Sequence, residues 1–119
     1  MLFNFDIFTR VATQVYKQAD SPYTLQEVLD VFAYFFDAYR EAIGEDHPPI
    51  RREQIKRIVE AMPYYDKLPN SPGHPDILPE DYPVLIDSYF RTPFRNCNYH
   101  INHFFSGDIR TMRMYEELY

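Results

Sequence analysis

YTLQEVLDVFAYFFDAYREAIG, Tyr23 to Gly44, decides the fold. Thr24 and Glu27 stand three residues apart ahead of an apolar run, the spacing of a capping box that starts a helix. Tyr23 before the cap and Val28 after it supply the matching hydrophobic staple. Leu25, Val28, Leu29, Phe32, Phe35, Phe36, Tyr39 and Ile43 then share one broad face, and Gln26, Asp30, Asp37 and Glu41 share the other. A face that wide needs more than one neighbour, so this helix is expected at the centre of the molecule. Gly44 suits the left-handed residue that ends a helix.

On the N-terminal side, Ile7, Phe8, Val11, Ala12, Val15 and Tyr16 fall at helical spacing from Asp6 to Ala19, with Asn4 or Asp6 as the cap and Asp20-Ser21-Pro22 as the stop. Beyond Gly44, His47-Pro48-Pro49 leads into a helix expected over Ile50 to Met62, with Ile55, Ile58, Val59 and Met62 as its stripe and Pro63 as its end. The prolines and the Asn70-Ser71 and Gly73 punctuation after it predict a long loop over about 63–80. A loop that long in a small domain is functional or pinned by its own side chains. A short helix follows from Asp81 or Tyr82 to Phe90, then a helix over about Asn96 to Phe105 with weak apolar periodicity. Asp108 is the expected cap of a last helix carrying Ile109, Met112, Tyr115 and Leu118 on one side and Arg110, Arg113 and Glu117 on the other. No alternation long enough for a sheet appears. The expectation is an all-α, single compact bundle of five or six helices with one long proline-rich loop, residues 1–119 forming one domain.

The 119 residues suffice to bury a core without disulfides or metal. One cysteine, Cys97, excludes an internal disulfide and points to a reducing, cytoplasmic setting. The opening MLFNFDIF lacks a basic n-region and a cleavage site, and no apolar run is long enough for a bilayer, so no membrane partner is expected. A net charge of -6 argues against general affinity for nucleic acid. Gly44, Gly73 and Gly107 are isolated, so no glycine-rich phosphate loop exists and no cofactor is expected.

Candidate chemistry concentrates in NCNYHINHFFSGDIRTMRMYEELY, Asn96 to Tyr119. His100 and His103 stand one turn apart on the expected helix, a spacing that can ligate a metal ion. On that helix Cys97 lies about 9 Å along the axis from His103, so one ion does not take all three. The alternative is a pair of polar-tipped residues among aromatics. Cys97 beside a histidine also suggests a nucleophile, but no third residue or strained elbow accompanies it. Nothing here names an enzyme.

Arg51, Arg52, Lys56 and Arg57 make the third helix a candidate nucleic-acid reader in a helix-turn-helix-like pair with the second. Glu53 and Glu60 are interleaved with them, with Glu53 and Arg57 placed to pair, and that is the pattern of a self-compensated solvated face. On the second helix, Tyr34 sits among Asp30, Asp37 and Glu41, a tyrosine between carboxylates that suits either partner anchoring or plain solubility.

HPPIRREQIKRIVEAMPYYD (His47 to Asp66) and NYHINHFFSGDIRTMRMYEELY (Asn98 to Tyr119) resemble segments of a group of small uncharacterised proteins from Clostridia-type Gram-positive bacteria that accompany mobile or conjugative elements. The resemblance assigns no activity and no catalytic residue. It implies a role near DNA processing or element maintenance.

The leading expectation is a helical protein that binds another protein, or a second copy of itself, through Tyr99, His100, His103 and Tyr115, with Arg110 and Arg113 at the rim. A DNA-binding accessory protein using the basic third helix is the alternative, and a metal-binding protein using His100 and His103 the second alternative.

Overall fold

The computed structural model describes residues 4–64, 75–106 and 109–118. Among these are six α-helices and one 3-10 turn, and no strand. The helices are α1 (Phe5–Gln18), α2 (Leu25–Ile43), α3 (Arg52–Ala61), α4 (Tyr82–Arg91), α5 (Ile101–Phe104) and α6 (Ile109–Glu117), with the 3-10 turn over Pro79–Asp81. The expected all-α architecture is therefore the observed one. No helix of the described residues is long and apolar enough to cross a membrane.

Local chemistry sets the helix ends. Asn4 caps α1 by accepting from the Ile7 amide at 3.1 Å. At α2 the capping box is complete: Thr24 Oγ1 accepts from the Glu27 amide at 3.2 Å, and Glu27 accepts from the Thr24 amide at 2.8 Å. Gly44 closes α2 at φ 87, its amide donating to Arg40 at 2.8 Å. A Cβ added there would meet no atom within 4 Å. Gly44→Ala therefore carries a backbone cost alone and is expected to lose about 1 kcal/mol in urea unfolding. An unchanged midpoint would contradict that reading.

The second helix is central, as its wide apolar face requires. It packs on α4 across one side and on α1 across another, while α1 holds α3 and α4 holds α6. One core joins them. Phe8 of α1 meets Phe32 and Phe36 edge-on at 4.9 and 5.1 Å, and Phe35 faces Phe90 and Phe104 at 5.1 and 5.6 Å. Val31 joins this core although it lies beside the polar stripe, because α4 covers that flank. Ile43, expected in the core, is exposed in the last turn.

Three expectations change. The third helix begins at Arg52 rather than Ile50. The helix expected over residues 96–105 shrinks to Ile101–Phe104. Before it the chain turns through two left-handed residues, Asn96 at φ 55 and Tyr99 at φ 60, and Asn98 accepts from the His100 amide at 3.0 Å. Asparagine side chains compete with helix formation by such local bonds, and no apolar stripe offsets them here. The last helix is rotated relative to its expected face: Arg110, Arg113 and Met114 point inward, while Met112 and Tyr115 are exposed. The expected cap Asp108 lies outside the described residues.

The long loop is tied at its base. The amides of Asp76 and Ile77 donate to Pro63 O at 2.7 and 3.0 Å, and the buried Tyr23 hydroxyl reaches Ile77 O at 2.5 Å. Residues 65–74 lie outside the described residues.

Candidate functional site

The C-terminal residues expected to form an interface are largely committed to the fold. Arg110 and Arg113 are 6% and 5% exposed, not rim residues. Arg110 donates to Ala61 O at 2.6 Å, to Tyr64 O and to the Tyr82 hydroxyl at 3.0 Å, and its guanidinium lies 5.2 Å from the Phe105 ring centre. Tyr82 passes its own hydrogen to Met62 O at 2.6 Å. Ala61 O and Met62 O are the terminal carbonyls of α3, where a cation also meets the negative end of the helix dipole. Arg113 donates to Thr92 Oγ1 at 2.5 Å and pairs with Glu116 at 2.9 Å beside the Phe94 ring. Glu117, expected on the same side of the helix as Arg113, reaches Arg91 at 3.5 Å. Planar guanidinium groups stack on aromatic rings and fork to several carbonyls at once, which is why arginine can occupy such sites.

Tyr99 is half-buried. Its hydroxyl donates to Thr92 O at 2.7 Å and accepts from the Phe94 amide at 2.8 Å, stapling the chain after α4. Tyr115 is exposed on α6.

The two histidines proposed as a metal pair diverge. His100 packs against His47, ring centres 5.0 Å apart, whereas His103 faces Tyr89 and Cys97. His47, expected to lead into the third helix, carries a structural role here. It is buried among Phe35, Phe36 and Tyr39, and its Nε2 accepts from the Ile101 amide at 3.0 Å. Its proton therefore sits on Nδ1, which donates to Pro48 O at 2.7 Å. Burial lowers the His47 pKa to about 4, and burial lowers that of His100 as well. His47 thus anchors the start of α5 as a neutral ring.

Cys97 and His103 are closer than a shared helix would place them. Because Cys97 lies in the loop ahead of α5, its Sγ comes within 3.3 Å of His103 Nδ1, and Tyr89 Oη lies 2.7 Å from the same nitrogen. The Tyr99 amide donates to Sγ at 3.2 Å. Burial raises the Tyr89 pKa, so the phenol stays protonated. The arrangement closes on itself beneath the Phe94 ring, 5.2 Å from that of His103. Among the described residues no group of three or more histidine, cysteine or acidic side chains converges on a metal position.

On α3, Arg51, Arg52, Lys56 and Arg57 are all exposed. Arg52 bonds Gln14 of α1 at 2.9 Å. The ion pairs among the described residues are Arg40–Asp46, Arg91–Glu117 and Arg113–Glu116, so the expected Glu53–Arg57 pair is not formed. The principal partner of α3 is α1, not α2.

A groove of about 320 Å³ opens between α2, the 3-10 turn and the start of α4. Its floor is the buried Val31 and Tyr82, and Pro79 and Pro83 form one wall. Glu27, Asp30 and Glu80 line its rim together with Tyr34. The Tyr34 hydroxyl donates to both carboxylate oxygens of Asp87 at 2.9 Å, bridging α2 to α4. Burial and then the Asp87 carboxylate raise the Tyr34 pKa, so the phenol remains a donor. The sequence placed Tyr34 on an outward face among Asp30, Asp37 and Glu41, but Glu80, Pro79 and Pro83 come from a segment about fifty residues later and carried no local signal. No family model, no curated protein and no solved structure matches this chain.

Proposed function

We propose that this protein acts by docking a partner protein in the groove between α2, the 3-10 turn and α4. The observation that carries the reading is a concavity with a buried apolar floor and three carboxylates lining it that have no cationic partner among the described residues. Tyr99, Arg110 and Arg113, first expected at an interface, are spent on internal hydrogen bonds, whereas the carboxylates Glu27, Asp30 and Glu80 that line the groove are in no ion pair among the described residues. Rigid prolines on one wall and a tyrosine on the rim suit recognition, since tyrosine supplies contact area at little entropic cost.

The test places a photo-crosslinking phenylalanine at Tyr34 and, in a second protein, at Lys56. In extract of the producing cells, a protein adduct is expected from position 34 and not from position 56. The adduct should vanish in a Glu80→Trp background, where a bulky ring fills the groove. An adduct from position 34 that survives Glu80→Trp, or none at all, rejects the groove.

The second reading is a DNA-binding accessory protein of a mobile element. It is favoured by four exposed cations on α3, none of them in an ion pair among the described residues. It requires duplex binding that weakens steeply with salt and is lost in Lys56→Ala/Arg57→Ala.

A further inference from the structure

Resting on the groove reading above, we infer that the occupant is an arginine- or lysine-bearing segment of another protein. Among the described residues the carboxylates at the rim have no charged partner. Asp30 Oδ1 accepts from Gln26 Nε2 at 2.8 Å and Glu27 from the Thr24 amide, and the rim tyrosine Tyr34 is itself held by Asp87. Glu80 has no hydrogen bond or ion pair among the described residues. The three ion pairs of the described residues all lie elsewhere. The rim is thus a concentration of negative charge without its own cation among the described residues, in a chain whose net charge is already -6.

Charge alone would not distinguish this place from any acidic surface. The floor does. Arginine and lysine carry an aliphatic stem beneath a charged head, and such side chains lay the stem along apolar surface while the head stays at the polar edge. Pro79, Pro83 and the Tyr34 ring offer the apolar surface along the stem, above a floor closed by the buried Val31 and Tyr82, and the carboxylates line the same groove for the charged head. Tyr34 adds an aromatic face at the rim, which attracts a cation through its ring quadrupole. Leu78 and Val84 are exposed close by in sequence to the wall residues, at 45% and 41%, and extend apolar contact for residues flanking the cation. A volume of about 320 Å³ is at the small end of ligand pockets, fitting one or two side chains rather than a folded surface. Nucleic acid is excluded as the occupant, since its phosphates would meet the same carboxylates.

The probes are two capped decapeptides, one alternating arginine with leucine and one with every arginine replaced by citrulline, which keeps the shape and removes the charge. Binding is followed by amide chemical shifts of the folded full chain. The arginine peptide should shift the amides of residues 27–34 and 79–87 and weaken severalfold when salt is raised. The citrulline peptide and the Asp30→Asn/Glu80→Gln variant should each cost about tenfold in affinity, as expected for two solvent-facing charge pairs. Equal binding of both peptides in the groove overturns the cationic occupant and leaves the groove itself standing. Shifts spread over the whole acidic surface, an affinity unchanged in the double variant, or no shift in the groove with either peptide also overturn it. Failure of the crosslink at position 34, by contrast, rejects the groove whatever the peptides do.

Discussion

Replacing Arg110 with Ala is expected to remove about 3–5 kcal/mol of stability, because it deletes a buried cation whose hydrogen bonds each contribute about 1.5–3 kcal/mol. Arg110 ties three segments together: the end of α3 through Ala61 O, the chain beyond Pro63 through the Tyr64 carbonyl, and α4 through the Tyr82 hydroxyl. Small domains are stable by only about 5–15 kcal/mol, so the variant should be largely unfolded at modest urea. Arg110→Lys should recover only part of the loss, since an ammonium cannot fork to three acceptors or stack flat on Phe105. Urea unfolding followed by circular dichroism decides the matter. A loss below about 1 kcal/mol, the range of an ordinary surface substitution, would mean that the guanidinium is not the tie described.

Acid should destabilise the protein through His47. Its pKa is about 4 in the fold, against an ordinary value of 6.5. Between those values the unfolded chain binds a proton that the folded ring refuses, so stability falls as the pH drops through this window. The contribution is fully present above about pH 6.5 and gone below about pH 4, and a shift of this size corresponds to roughly 3 kcal/mol. The physical cause is burial first, with the neighbouring His100 opposing the charge further. Protonation at Nε2 also ends its acceptance from the Ile101 amide and so frees the start of α5. His100 shifts in the same direction and steepens the slope. In His47→Gln, where the side-chain oxygen can still accept from that amide, stability measured from pH 7 to 4 should vary less than in the parent. Parallel curves for the two proteins would remove His47 as the source.

The helical segments were readable because their determinants are local. Thr24 and Glu27 meet across one turn, Gly44 supplies its own left-handed residue, and the stripe of α2 repeats at the helical period. The stretch from Asn96 to His100 misled because its apolar periodicity is too weak to hold a helix, and Asn98 accepts from the His100 amide instead. That difference separated His100 from His103 and brought Cys97 beside His103. The inward face of α6 misled for another reason. On a helical wheel, arginine marks the solvent side, and only the presence of carbonyls to receive it reverses the assignment.

By itself, then, the sequence determined the all-α architecture, the central position of α2 and the caps that begin and end it, since each depends on residues within a few positions of one another. Tertiary structure alone decided which polar groups are spent and which remain available. Arg110 is consumed by a carbonyl 49 residues away, and His47 by an amide 54 residues away. Asp30 and Glu80 share a groove, with no cation of the described residues between them. Hydrogen bonds and charges are satisfied by whatever the folded chain brings within about 3 Å, and no local pattern specifies that distance.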